Sequence, residues 1–146
     1  MQTFFIFILS FFSLSFYAQN YPDDVIGKWM DLEKRVLVEV FKSGKDYRAK
    51  VLWFNEIEGC KKPIHEHEDS SNPNPKLRHR KIIGMEILSG LVYNPEDKEW
   101  QNGKIYDASS GRTWSSVAWL EKGLLKVRGY WKMRLLGKSM SFRRVR

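Results

Sequence analysis

Cysteine is almost missing from this chain. Cys60 is the only one in 146 residues, so no intrachain disulfide framework exists and Cys60 reads as a lone thiol in a loop, with pairing to another chain as the competing reading. No G-x-G-x-x-G, phosphate loop, G-x-S-x-G or cysteine pair at zinc spacing occurs, so the sequence gives no support to dinucleotide, nucleotide, serine-hydrolase or zinc-ribbon chemistry. The chain has no internal repeat of useful length and no low-complexity tract. Residues 1–18 carry no charged side chain, and acids are scarce after residue 100, where eleven Lys or Arg face only Asp107 and Glu121.

The uncharged start is also strongly apolar. Phe4 to Phe16 is broken only by serines, and Ala18-Gln19 follows. The run is short for a bilayer span and reads as a secretory signal peptide cut near Ala18. A retained membrane anchor is the competing reading. Cleavage leaves residues 19–146 as one domain, periplasmic or secreted. All six Trp lie in that part, enough large apolar area for a core.

The remaining chain alternates with a period of two. From Gly123 to Leu135 the odd positions are Gly123, Leu125, Val127, Gly129, Trp131, Met133 and Leu135, while the even ones are mostly cationic. One apolar and one charged parity is the mark of a half-buried antiparallel strand. Met140, Phe142 and Arg144 share a parity on a last strand. Val36, Val38 and Val40, then Tyr47, Ala49, Val51 and Trp53, give two earlier inward faces, and Asp24 to Asp31 reads as the first strand. Turns at 43–46, 94–97, 107–111 and 121–123 are rich in Gly, Asn, Asp, Ser or Lys, as hairpins require. Gly84 and Gly90 fall inside the apolar run from Lys81 to Tyr93, where a strand with a bulge competes with a short helix through Met85 to Leu88. Consecutive hairpins make a meander, and closure into a barrel removes its edges. The expected fold is all-β: a single antiparallel up-and-down barrel of about eight strands.

Between the third and fourth strands the pattern breaks from Asn55 to Arg80. Loops this long in small domains tend to be functional or disordered. His65-Glu66-His67-Glu68-Asp69 holds metal-competent groups but no closed-site spacing, so a solvated loop is expected and no metal or cofactor is assigned.

Two sets of residues resemble known proteins. Gly27-Lys28-Trp29, with Arg144 at the chain end, is similar to the signature of lipocalin-like barrels, which implies that Trp29 plugs one end beneath Arg144. Asn72-Pro73, Leu77-Arg78-His79-Arg80 and Ile83-Gly84-Met85 resemble a bacterial family of exported proteins known as domain of unknown function 2147. Gly103 to Asp107, Ser110-Gly111, Leu125 to Tyr130 and Leu136-Gly137-Lys138 continue the likeness in order. The family usually has Trp where this chain has Phe142, and often an acid where it has Asn74. The resemblance covers residues 25 to 146 and implies a lipocalin-like calyx with one open end, but no reaction.

The leading expectation is therefore a binding protein that takes a small apolar or amphipathic, fatty-acid-like anionic ligand. Tyr47, Trp53, Trp114 and Trp131 would form apolar wall, and Arg78 and Arg80 would meet an anionic group at the mouth. The alternative is that these aromatics fill the core and the arginines hold the loop down. A second class of function uses the cationic strand face, Lys126, Arg128, Lys132, Arg134 and Lys138, on anionic envelope lipid or polysaccharide. An enzyme built on His65, His67 and His79 lacks a nucleophile and is not expected. Export would separate the chain from nucleic acid, which is not an expected partner.

Overall fold

Valines at alternate positions of one strand meet valine, alanine and aromatic positions of the next, and this repeats around a ring. The computed structural model describes residues 21–55 and 60–146. The signal segment expected at 1–18 lies outside the described residues. The strands are β1 (Gly27–Asp31), β2 (Val36–Ser43), β3 (Asp46–Phe54), β4 (Glu86–Asn94), β5 (Glu99–Asp107), β6 (Arg112–Glu121), β7 (Leu124–Tyr130) and β8 (Gly137–Val145). Each pairs with its successor and β8 pairs back with β1, giving a closed eight-stranded antiparallel barrel.

The inward parity carries the core: Trp29, Val38, Val40, Tyr47, Ala49, Leu88, Leu91, Trp100, Ala118, Leu125, Val127 and Phe142 pack in one cluster. Eight strands give an interior that side chains can fill, and here they do so from the end where β1 begins. At that end a 3-10 turn, Pro22–Val25, crosses beneath the barrel. Trp29 Nε1 donates to the Val25 carbonyl at 2.8 Å, and Trp100 Nε1 to Pro22 at 3.0 Å. The Tyr47 hydroxyl donates to Asp23 at 2.6 Å. Arg144 donates to the carbonyls of Asp24 and Ile26, and its guanidinium lies 4.3 Å from the Trp29 ring centroid. Any Cβ at Gly27, whose φ is +137°, would meet Arg144 Nη1 at 2.5 Å, so only glycine leaves room for that side chain. This end is closed.

Four segments depart from the expected pattern, each for a local reason. The first strand starts at Gly27, not Asp24. Pro22 opens a turn whose Asp24 carboxylate accepts from the Tyr21 amide at 2.7 Å, which holds the backbone out of extended form. The fourth strand starts at Glu86, not Lys81, because the amide of Gly84 and the carbonyl of Met85 bond back to Val51. Its interior glycine, Gly90, sits at φ +74° in a bulge whose amide donates to Asp46 at 2.9 Å. In β3 the register slips, so that Val38 pairs with Val51 but Leu37 with Trp53 and Val36 with Phe54. One extra residue reverses the faces. Phe54 takes the inward place expected of Trp53, and Trp53 turns outward beside Leu37. Finally, β7 ends at Tyr130, which pairs with Gly137. Lys132 adopts φ +62°, so Trp131, Met133 and Leu135 belong to a connecting loop and not to an inward strand face.

Arg144→Ala should lower the unfolding free energy by about 1–2 kcal/mol, since two carbonyls and the indole face lose their partner. Arg144→Lys should recover less than half of that, because an ammonium cannot stack and fork together. Urea unfolding followed by tryptophan fluorescence measures both.

Candidate ligand site at the open end of the barrel

Inward side chains near the other end are treated differently by solvent. Val36, Ile105, Trp114 and Met140 have the inward parity of their strands, yet all four stay half-buried. Ile105 and Trp114 face each other across β5 and β6. They lie against the bare backbone of Gly129, where a Cβ would stand 3.3 Å from Ile105 and 3.8 Å from Trp114. Trp131 caps the rim, its ring edge-on to Trp114 with centroids 6.1 Å apart, and is 58% exposed. These side chains form a half-exposed apolar floor at this end, here called the bowl. Below it the barrel is full: a Cβ at Gly103 would collide with Leu91 and with the Ser116 hydroxyl.

Two polar features mark this half of the barrel. Ser116, inward and fully buried between the levels of Trp114 and Ala118, has a hydroxyl oxygen with no hydrogen-bond partner. A buried orphan of this kind carries a desolvation cost. Asp31 has the inward parity of β1 and is 1% exposed. Arg35 grips it with two bonds, Nε to Oδ2 at 2.7 Å and Nη2 to Oδ1 at 3.2 Å. Burial pushes the Asp31 carboxyl up, but the Arg35 bonds outweigh it and hold it below the usual carboxylate range. Sequence reading missed both residues. The only signal for Asp31 was its parity with Gly27 and Trp29.

The long connection from Asn55 to Met85 is fastened to the rim by one buried carboxylate. Asp69 is 0% exposed and accepts from the Tyr106 hydroxyl at 2.6 Å, Asn72 Nδ2 at 2.7 Å and Arg80 Nη2 at 2.8 Å. Burial alone would raise its pKa. The Tyr106, Asn72 and Arg80 bonds reverse that and lower it. Burial and the Asp69 bond push the Tyr106 phenol up to about 12. The loop doubles back on itself, with the Asp69 amide on the Arg80 carbonyl at 2.8 Å and the Ile82 amide on His67 at 3.1 Å. Its Ser71 carbonyl rests on Gly111, where a Cβ would collide with it and φ is +70°.

The residues proposed from sequence therefore separate. Trp114 and Trp131 come together at the bowl. Tyr47 faces inward but at the closed end, where it is 2% exposed and bonded to Asp23; burial and that bond raise its pKa. Trp53 faces outward. Arg80 is engaged by Asp69, and Arg78 Nε donates to the Asn72 carbonyl at 2.8 Å, so both arginines tie the loop down. Of the histidines, His79 pairs with Glu68 at 3.2 Å and His65 lies 3.9 Å from Glu66. His67 packs edge-on to Phe54 with its Nε2 3.8 Å from Cys60 Sγ and 3.0 Å from the Lys62 carbonyl. These three rings occupy separate places. Among the described residues no three His, Cys, Asp or Glu side chains gather as a metal ion would need.

Grooves of about 580 and about 660 Å³ open at the closed end outside the barrel, one beside Tyr21, Tyr47 and Tyr93 and the other beside Trp29 and Arg144.

A ring of eight antiparallel strands, plugged at one end by a glycine-spaced tryptophan under a terminal-strand arginine, defines a lipocalin-like barrel. The chain is similar in fold to a solved Helicobacter pylori protein, described as "Protein HP1028 from the human pathogen Helicobacter pylori belongs to the lipocalin family", with 24% identity, 84% of each chain covered and a TM-score of 0.69. The chain belongs to the family described as "Uncharacterized protein conserved in bacteria (DUF2147)", whose profile matches residues 27–144. That match begins on Gly27 and ends on Arg144, the two residues that pack together beneath the barrel. No curated protein matches the chain.

Asp69→Asn should destabilise the protein by about 2 kcal/mol at neutral pH, through a weakened Arg80 pair and a disturbed Tyr106 bond. A lowered folded-state pKa contributes stability above the unfolded value near 4, and that contribution disappears as pH falls through the folded value. The gap between wild type and variant should therefore shrink on acidification below about pH 4. Urea midpoints across that range give the curve. Ser116→Ala should leave stability unchanged or raise it by up to about 1 kcal/mol, as loss of an unpaired buried hydroxyl predicts.

Proposed function

We propose that the protein binds a small apolar or amphipathic molecule in the bowl at the open end. One observation carries this: the inward apolar side chains at that end remain accessible, while their counterparts at the other end are sealed by the Trp29 plug. An acyl chain or a flat apolar ring would cover Trp114, Ile105, Met140 and Val36. Most of the gain would come from that apolar area, at roughly 25 cal/mol per Å² removed from water. The bowl is half-exposed, so such a ligand would stay partly exposed and its polar group would remain at the rim. Arg35 is the cation nearest the inward Asp31, but it is already paired with Asp31 and, at 3.2 Å, with Glu33. This favours a weakly charged or neutral amphipathic ligand over the anionic, fatty-acid-like one expected from Arg78 and Arg80.

The cationic strand face draws less support as a docking surface. Lys126 Nζ bonds to Ser141 at 2.8 Å, Arg128 to Ser139 at 2.9 Å and Arg134 to Glu99 at 2.8 Å. These three groups are held by neighbours, which leaves Lys132 and Lys138 as the exposed cations at the end of that face. A carrier of a small molecule is the reading that the apolar bowl supports best.

A fluorescent fatty acid added to purified protein should gain intensity and be displaced by unlabelled fatty acid or a neutral monoacylglycerol. Trp114→Ala should weaken binding about tenfold, the share expected of one large aromatic wall residue. Saturable binding that ignores Trp114→Ala, or no displacement at all, would remove the bowl from consideration.

A further inference from the structure

Four large apolar side chains within six consecutive residues point into solvent. Trp131, Met133, Leu135 and Leu136, all in the β7–β8 loop, are 58%, 57%, 83% and 66% exposed. Single exposed leucines are ordinary on a protein surface, but a contiguous run marks contact with another apolar phase. The loop is held in this posture. Arg128 donates to the Arg134 carbonyl at 2.6 Å and to the Leu135 carbonyl at 3.1 Å. Arg134 reaches Glu99 on β5, and the Leu136 amide bonds to Met133 at 3.0 Å. Backbone polar groups are thus satisfied on the barrel side while the side chains turn outward.

Charge narrows the occupant. No Asp or Glu occurs after Glu121, and Lys132 and Lys138 stand exposed beside the apolar tip. We infer that the β7–β8 loop docks the protein on an anionic lipid bilayer. Leu135, Leu136 and Met133 would enter the acyl boundary, Trp131 would sit at headgroup depth, and the lysines would meet lipid phosphates. A second copy of the chain fits less well. Twofold pairing through this loop would set its cations against themselves with no acid in the loop to answer them. Trp131 also packs on Trp114, so docking brings the mouth of the barrel to the bilayer surface. The inference stands on the loop alone and does not require that the bowl hold a ligand.

The test uses the full chain with vesicles of phosphatidylglycerol and phosphatidylcholine, some with brominated acyl chains. All six Trp lie at or after Trp29, so quenching reports on the barrel and not on the apolar amino terminus. Bromolipid should quench wild-type fluorescence, and Trp131→Phe should lose most of that quenching. The double substitution Leu135→Ser with Leu136→Ser should weaken partitioning about ten- to a hundredfold, as loss of two buried leucines predicts, with an unchanged urea midpoint. Vesicles of phosphatidylcholine alone should bind more weakly than mixed ones. Equal partitioning of the double variant, equal quenching of Trp131→Phe, or no preference for anionic vesicles would each overturn the inference. So would a wild-type dimer in lipid-free sedimentation that the double variant abolishes, which would assign the patch to a second copy.

Discussion

A barrel has to be held shut where its first and last strands meet, and here one arginine reinforces the antiparallel pairing of β1 with β8. Arg144 pairs in register with Trp29 across the β1–β8 seam, stacks on its indole and reaches two carbonyls of the turn that precedes β1. The same contact sets several other features. It requires glycine at position 27, it positions the 3-10 turn, and through that turn it supplies partners for Trp100 and Tyr47. Trp29 and Trp100 are the two largest fully buried side chains, and each has its indole N–H satisfied by a backbone carbonyl of that turn. Burying indoles without those partners would forfeit part of the apolar gain.

Because one end is fastened in this way, any recognition of a molecule inside the ring is left to the other end. There the chain places glycine, serine and half-exposed apolar groups, and fastens its long connection through a buried carboxylate at Asp69. The open end thus combines a fixed rim with an accessible floor. Its loops carry the exposed tryptophan, while its strands carry the packing. Rigid scaffold and chemically varied loops are a common division of labour. The tight packing of Leu91 and Ser116 against Gly103 also limits how deeply a ligand can enter from that end.

Much of the ring was legible from alternation alone. The valines of β2, the small and apolar positions of β7 and the glycine-rich turns point to hairpins because each face sees one environment. The misreadings come from single residues that change parity. An extra residue in β3 turned Trp53 outward, and Lys132 in the left-handed region ended a pattern that ran on in the letters as far as Leu135. A periodicity argument cannot see a bulge that does not need glycine, nor a positive φ at lysine. The rim was less legible still. Asp69 sits in a run of charged letters that reads as solvated loop, and its burial depends on Tyr106, thirty-seven positions later. Ser116 looks like any strand serine until its neighbours are known. Arg78 and Arg80 were recognisable as special, but the partners that claim them are a backbone carbonyl and that same carboxylate.

The seam has a temporal side. The bonds from Arg144 to Ile26 and Asp24 join positions 118 and 120 residues apart, nearly the full length of the ring. Contacts so distant in sequence form late and carry the largest loop-closure cost. The strand that completes the circle follows the other seven in the chain, so the ring cannot close until β8 is present. Until β8 docks on β1 the sheet keeps two unpaired strand edges, the condition in which association with other chains starts most easily.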